Sequence, residues 1–148
     1  MTGLEAYTIQ NWVKRGFLTA PRNKRYSKRQ LCRIININML KAALSLEDIC
    51  GLLQYINGHL DDEADDLIDD SQLYFLFLQL VGSHQQMNTE AGREQAMLQV
   101  LEAYEEPVPG ARQRLEKVLR TMLTAWAAAQ LRMRAEALLQ EIKNQKNP

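Results

Sequence analysis

A group of polar side chains near the start of the chain has the chemistry needed to contact a nucleic acid. Apolar spacing predicts a helix over residues 5–17, with Ile9, Trp12, Val13 and Gly16 on its buried face. The opposite face carries Thr8, Gln10, Asn11, Lys14 and Arg15. Gln and Asn side chains can pair bidentately with adenine, whereas Lys and Arg bind guanine or phosphate. This face is therefore a candidate for reading a DNA major groove, and the alternative is an ordinary solvated helix face.

A basic turn follows this helix. Pro21 disfavours a helix, and Asn23 is a common turn residue. Cations crowd around the turn, so a short hairpin there could lie along a phosphate backbone and fix its position. The alternative is a basic surface loop. The candidate DNA-contacting residues in and just after the turn are Arg22, Asn23, Lys24, Arg25, Tyr26, Lys28 and Arg29.

The formal net charge of zero conceals a strong segregation of charge along the chain. Residues 1–46 hold nine Lys and Arg and one acid, which gives +8. Residues 47–111 hold fourteen acids and one Arg, which gives −13, and residues 112–148 hold eight Lys and Arg and three acids, which gives +5. Such asymmetry indicates a polyanion-binding head attached to a body with a different task.

Two capping signals predict the helices that would support this head. Ser27 and Gln30 form a capping box, and the helix that they open is expected to continue to Ala43 as a central core helix. Ser45 and Asp48 then cap a shorter helix.

Several linked motifs in this region carry a resemblance to a known family. T-I-x-x-W-x-x-x-G-F-L begins at Thr8, and a proline and a basic turn ending in Tyr-Ser follow. L-x-x-I-x-x-I-x-x-L-K and S-L-E-D-I-x-x-L-L come next, beginning at Leu31 and Ser45. The order resembles the winged helix-turn-helix head of MerR-type bacterial transcriptional regulators. It resembles more closely a MerR-like bacterial family that has no assigned function.

The resemblance implies a role for each part of the head. It makes residues 8–15 the recognition helix, residues 21–26 the wing and residues 29–53 the supporting helix pair. MerR-type heads place a further helix before the recognition helix, whereas seven residues precede Thr8 here. We therefore expect either a truncated chain or support for the recognition helix from elsewhere. The wing also lacks the Gly-Tyr-Arg tip that is usual in MerR proteins.

An acidic segment separates the head from the rest of the chain, with seven acids in residues 61–70. It does not fit a calcium loop, because Asp66 stands where that loop needs glycine and Gln72 where it needs glutamate. We expect a solvated linker or helix entry, and the sharper alternative is a strip that competes with DNA for the basic head. The predicted domains are residues 1–58 as the head, 59–70 as the acidic linker and 71–148 as a helical body for dimerisation or effector binding.

The body is expected to be helical throughout. Residues 73–81 are apolar on nearly all sides, which predicts a buried helix and a candidate subunit interface. Thr89 is a candidate cap for the next helix, and residues 110–146 predict one long final helix. Bundle packing and a dimeric coiled coil both remain open for that helix. The predicted fold class is therefore all-α, with a MerR-like winged helix-turn-helix head and a C-terminal helical bundle ending in a long helix.

Other classes of function lack their signals. The sequence has no glycine-rich phosphate loop, no HExxH motif and no Cys/His cluster, so we predict no enzyme, no cofactor and no metal site. Its longest apolar run is far shorter than the roughly 20 residues that span a bilayer, and two separated cysteines fit a reducing compartment, so we predict a cytoplasmic protein without membrane contact.

Together these features predict a transcriptional regulator that binds double-stranded DNA as a homodimer. Its helical body is a candidate for binding an unidentified small-molecule effector. The alternative is a protein-interaction module that retains a degenerate helix-turn-helix head without DNA binding.

Overall fold

Six α-helices make up the regular structure of the computed structural model, which describes residues 4–83 and 89–146. They are α1 (Ala6–Lys14), α2 (Lys28–Leu40), α3 (Leu46–Asn57), α4 (Asp70–Gly82), α5 (Glu90–Leu101) and α6 (Ala111–Lys146). A 3₁₀ turn over Glu63–Asp65 interrupts the acidic segment, and the described ranges contain no β-strand. The predicted all-α class is confirmed. None of the helices in these ranges combines the length and apolar character that crossing a bilayer requires.

The predicted helix caps are present. The Ser27 hydroxyl accepts a hydrogen bond from the Gln30 backbone N–H at 3.1 Å, and the Gln30 side chain accepts one from the Ser27 N–H at 2.8 Å. Ser45 accepts from the Asp48 N–H at 3.1 Å, and Thr89 caps α5 in the same way. These bonds satisfy N–H groups that have no partner within the helix, and so they set where α2, α3 and α5 begin.

Two helices end earlier than expected. The helix predicted over residues 5–17 ends at Lys14, because Gly16 adopts a left-handed φ of 79° and does not join the buried face. The Gly16 N–H donates to the Val13 carbonyl and the Phe17 N–H donates to the Trp12 carbonyl, which is a Schellman motif. Helix α2 ends three residues before the expected Ala43, whose N–H donates to the Leu40 carbonyl in a tighter turn.

One continuous cluster of buried side chains includes residues on both sides of the acidic segment. Trp12 and Leu18 join it from the head, and Phe77 and Leu115 join it from the body. Helix α2 lies at the centre, where it packs against α3, α4 and α6. The boundaries at residues 58 and 70 stay predictions, since head and body share this core.

Helix α6 has two contrasting halves. Its buried residues are confined to residues 111–129, where Leu115, Leu119 and Met122 are fully buried. Every residue of 130–146 is exposed. The second half of α6 therefore contributes almost nothing to the core of one chain.

A buried ion pair joins the head to the body. The Arg33 guanidinium lies 3.3 Å from the Asp70 carboxylate, and the two residues are only 8% and 3% exposed. Arg33 also donates from Nε to the Phe17 carbonyl at 2.9 Å. One side chain of α2 thus holds both the chain after α1 and the first residue of α4.

We expect Asp70→Asn to lower the free energy of unfolding by about 3 kcal/mol, because it leaves the buried Arg33 charge without a counterion. Urea denaturation followed by circular dichroism measures the loss. Asp61→Asn is the matched control, since Asp61 is exposed and has no side-chain partner in the described residues, and it should cost less than about 0.5 kcal/mol. Equal losses in the two variants would contradict a structural role for the pair.

Candidate nucleic-acid interface

Helix α1 presents its polar face because its apolar face is anchored in the core. Trp12 is 1% exposed, and Ile9 and Val13 pack against the buried cluster. On the other side, the exposed candidate residues of α1 and its end are Gln10, Asn11, Lys14 and Arg15. The remaining candidate on this helix, Thr8, is half-buried. Four of the five side chains of this predicted face are therefore accessible to a ligand.

The basic turn is a hairpin of minimal size. Arg22 donates its N–H to the Arg25 carbonyl at 3.1 Å, and Arg25 returns a bond to the Arg22 carbonyl at 2.9 Å. The two residues between them, Asn23 and Lys24, have φ values of 49° and 61°. Positive φ at both central positions is the type I′ arrangement that favours hairpins. The turn therefore exposes four consecutive candidate residues, 22–25, at its tip.

The Gln30 side chain of α2 holds the chain that enters this hairpin in place. The Gln30 amide donates to the Thr19 hydroxyl at 2.8 Å, and to the Thr19 and Ala20 carbonyls at 3.2 and 3.1 Å. Tyr26 is half-buried and packs against the core. Tyr26 is thus a support for the hairpin as much as a candidate contact.

The exposed cations of the head fall into two groups. Lys28 lies over the Phe75 ring at 5.1 Å and Lys41 lies over the Trp12 ring at 5.9 Å. In residues 4–83 and 89–146, no ion pair or ring contact involves the side chains of Lys14, Arg22, Lys24 and Arg25. These four charges lie on α1 and on the hairpin, and each is available to an external anion.

Arg15 is a cation whose present partner can be exchanged. It pairs with Glu47 and stacks over the Phe17 ring at 4.6 Å. The Arg15 and Glu47 side chains are 41% and 67% exposed, and exposed pairs of this kind contribute about 0–1 kcal/mol. A phosphate group could therefore replace Glu47 at little cost.

Arg29 differs from the other candidates, because carboxylates of the acidic segment surround it. Its guanidinium pairs with Asp66 and lies 2.9 Å from Glu63, 3.4 Å from Asp70 and 3.6 Å from Asp69. Burial lowers the pKa of Arg29, but the hydrogen bond to Asp66 and the nearby carboxylates outweigh it, so the pKa is raised overall. Arg29 is therefore a charged side chain that is already neutralised, rather than a free cation on the head.

The acidic segment is more than a solvated linker. Residues 61–65 are exposed, whereas Asp66 and Asp69 are half-buried and Asp70 is buried. Burial raises the pKa of the Asp66 carboxyl, and Arg29 opposes this effect. The Leu67 N–H donates to the Ile56 carbonyl at 3.1 Å, so the backbone of the segment is also attached to α3. The second half of the segment is therefore packed against the head.

The link through Arg33 was not predicted from the sequence. The spacing of Arg29 and Arg33 places both on one face of α2, but nothing in the local sequence pairs that face with the acidic segment. In the part of the chain that the structure describes, no group of three or more His, Cys, Asp or Glu side chains is placed to hold a metal ion.

The geometry defines an all-α protein whose N-terminal half carries a basic hairpin, a polar helix face and a docked acidic segment. The family described as "Domain of unknown function (DUF1836)" matches residues 2–77, just over half of the 148-residue chain, and the chain belongs to this family. The matched region includes α1 to α3, the acidic segment and the first part of α4. No curated protein and no solved structure matches the chain.

Proposed function

We propose that this protein is a transcriptional regulator that binds double-stranded DNA through α1 and the basic hairpin. The observation that carries the proposal is the set of four exposed cations, Lys14, Arg22, Lys24 and Arg25, that have no partner among the described residues. Cations that neutralise phosphates release counterions, and this release supplies much of the affinity for DNA. The role is non-catalytic, and the proposed location is the cytoplasm.

In this proposal residues 1–58 form a MerR-like winged helix-turn-helix head. Helix α1 is the recognition helix, the hairpin is the wing, and α2 and α3 are the supporting pair. The exposed amides of Gln10 and Asn11 support the assignment of α1, because they lie on the same helix as Lys14 and can pair with adenine edges. The two-residue tip at Asn23 and Lys24 makes the wing short, which suits backbone contacts rather than base contacts.

We further propose that two copies associate through the second half of α6. Its exposed apolar side chains are Leu131, Met133, Leu138, Leu139 and Ile142. The spacing of Leu131, Ala135, Leu138 and Ile142 alternates between four and three residues, which is the seam of a two-stranded coiled coil.

Opposite charges can pair across an antiparallel arrangement of these two helices. Arg134 and Glu141 flank opposite ends of the seam, one heptad apart. Antiparallel pairing places Arg134 of each copy beside Glu141 of the other, so that two contacts between opposite charges flank the seam. Two symmetric heads would then read half-sites separated by whole turns of DNA.

A protein-interaction module is the second candidate function. This function is favoured by the pairing of Arg29 with the acidic segment. Arg29 is a candidate DNA contact on α2, and its pairing removes positive charge from that part of the head. In this alternative the helix-turn-helix head is degenerate and its charged faces meet other proteins. A stable protein complex formed by a chain that has no DNA affinity would favour this role over the first.

Substitutions on the head should separate base contacts from phosphate contacts. Arg25→Gln and Lys14→Gln should weaken binding to all duplexes alike and reduce the salt slope by about 1 each. Gln10→Ala and Asn11→Ala should cost about 1–3 kcal/mol at particular base positions. Fluorescence anisotropy on selected and random duplexes measures both effects.

The matched control for these variants is Lys117→Gln, which removes one exposed cation from α6. It should leave the affinity and the salt slope nearly unchanged. If Lys117→Gln weakens binding as much as Arg25→Gln, the attraction depends on overall charge alone and the proposed interface is wrong.

Light scattering at tens of micromolar tests the association of two copies. The unmodified chain should have twice the 17.0 kDa mass of one chain, and Leu138→Arg should restore the single mass because it places charges in the seam. Leu98→Arg is the control, since Leu98 is 70% exposed on α5 and lies outside the seam. A single-chain mass for the unmodified protein would refute the dimer.

A further inference from the structure

A polar cavity of about 540 Å³ lies between the basic hairpin and the acidic segment. Arg22 and Arg25 line it from the hairpin, and Asp61 and Glu63 line it from the acidic segment. Asn57, the last residue of α3, contributes to the same lining. The volume of the cavity falls within the range of about 300–1,000 Å³ that is usual for small-ligand sites.

Asn57 borders this cavity without opening its amide to it. The residue is 5% exposed, and both polar atoms of its side chain are closed to solvent and have no hydrogen-bond partner among the described residues. A ligand in the cavity would therefore meet the charged groups of the lining rather than this amide.

The charges of the lining balance each other. It contains four arginines and four carboxylates, and Arg29 and Arg33 are paired with Glu63, Asp66 and Asp70. The charges that have no partner in the described residues are Arg22 and Arg25 from the hairpin and Asp61 from the acidic segment. A ligand of a single sign is attracted by one side and repelled by the other. A ligand that carries both signs interacts favourably with both sides.

We propose that this cavity binds a small zwitterion of the free amino acid class. Its carboxylate pairs with Arg22 and Arg25, since guanidinium groups bind carboxylates with two parallel hydrogen bonds. Its ammonium group faces Asp61 on the side of the acidic segment. The site lies between the head and the acidic segment, whereas the sequence suggested an effector site in the helical body.

Binding at this site would also regulate the head. Arg22 and Arg25 are among the cations that the proposed function assigns to phosphate, so a bound zwitterion and DNA compete for them. Only this competition rests on the proposed function. The binding itself is measured without DNA, so that the two claims can fail separately.

The experiment measures thermal unfolding of the full chain with each of the twenty common amino acids at about 10 mM, because a ligand specific for the folded state raises Tm. We expect at least one to raise Tm with concentration and to give a one-to-one titration by calorimetry. Acetate alone and methylammonium alone should have no effect. If no amino acid binds, or if acetate binds as tightly, the proposal is overturned.

Variants locate the site. Asp61→Asn and Arg25→Gln should each weaken the amino acid about tenfold, because each removes one charge partner. Asp62→Asn is the control: Asp62 is the neighbouring acid, it does not line the cavity, and Asn keeps its cap on the 3₁₀ turn. Unchanged affinity in both exposed variants would overturn the assignment.

The final arm adds duplex DNA to the protein and its best amino acid. The competition is supported if the amino acid displaces DNA from the unmodified protein but not from the Asp61→Asn variant. An amino acid that binds without displacing DNA supports the site and contradicts the competition. A protein that binds the amino acid and has no affinity for DNA supports the site and overturns the proposed function alone.

Discussion

The buried contact of Arg33 with Asp70 is the interaction on which the arrangement of this protein depends. Taking two charges out of water is costly, and removing one partner of such a pair costs more than the pair itself contributes. Arg33 also binds the Phe17 carbonyl, and its neighbour Arg29 binds four carboxylates of the acidic segment. The end of α1, the start of α4 and the acidic segment are therefore positioned by one face of α2.

This arrangement changes how the charge of the head should be understood. Counting residues gives the first 46 a charge of +8, but five carboxylates from outside that range are paired with Arg15, Arg29 and Arg33. The exposed cations that have no carboxylate partner in the described residues lie on α1, on the hairpin and at Lys28 and Lys41, which contact aromatic rings. The acidic segment therefore removes Arg29 from the basic surface, and most of the charge that remains lies on the two elements that we propose contact DNA.

Local signals allowed much of the fold to be predicted, because caps and helical spacing depend on residues that are close in sequence. The caps at Ser27, Ser45 and Thr89 were predicted for this reason. The partners of Arg29 lie 37 and 41 residues away at Asp66 and Asp70, and no local pattern pairs them. The cavity was also beyond prediction, since it exists only where the hairpin and the acidic segment meet.

The dependence of DNA affinity on salt tests the central claim most directly. Four unpaired cations and the exchangeable Arg15 give five phosphate contacts for each chain, so log K against log salt should fall with a slope of about −3 to −5 per chain. Anisotropy of the full chain on a random duplex, from about 50 to 200 mM salt, measures this slope. Absence of binding at the lowest salt, or a slope near zero, would contradict the account.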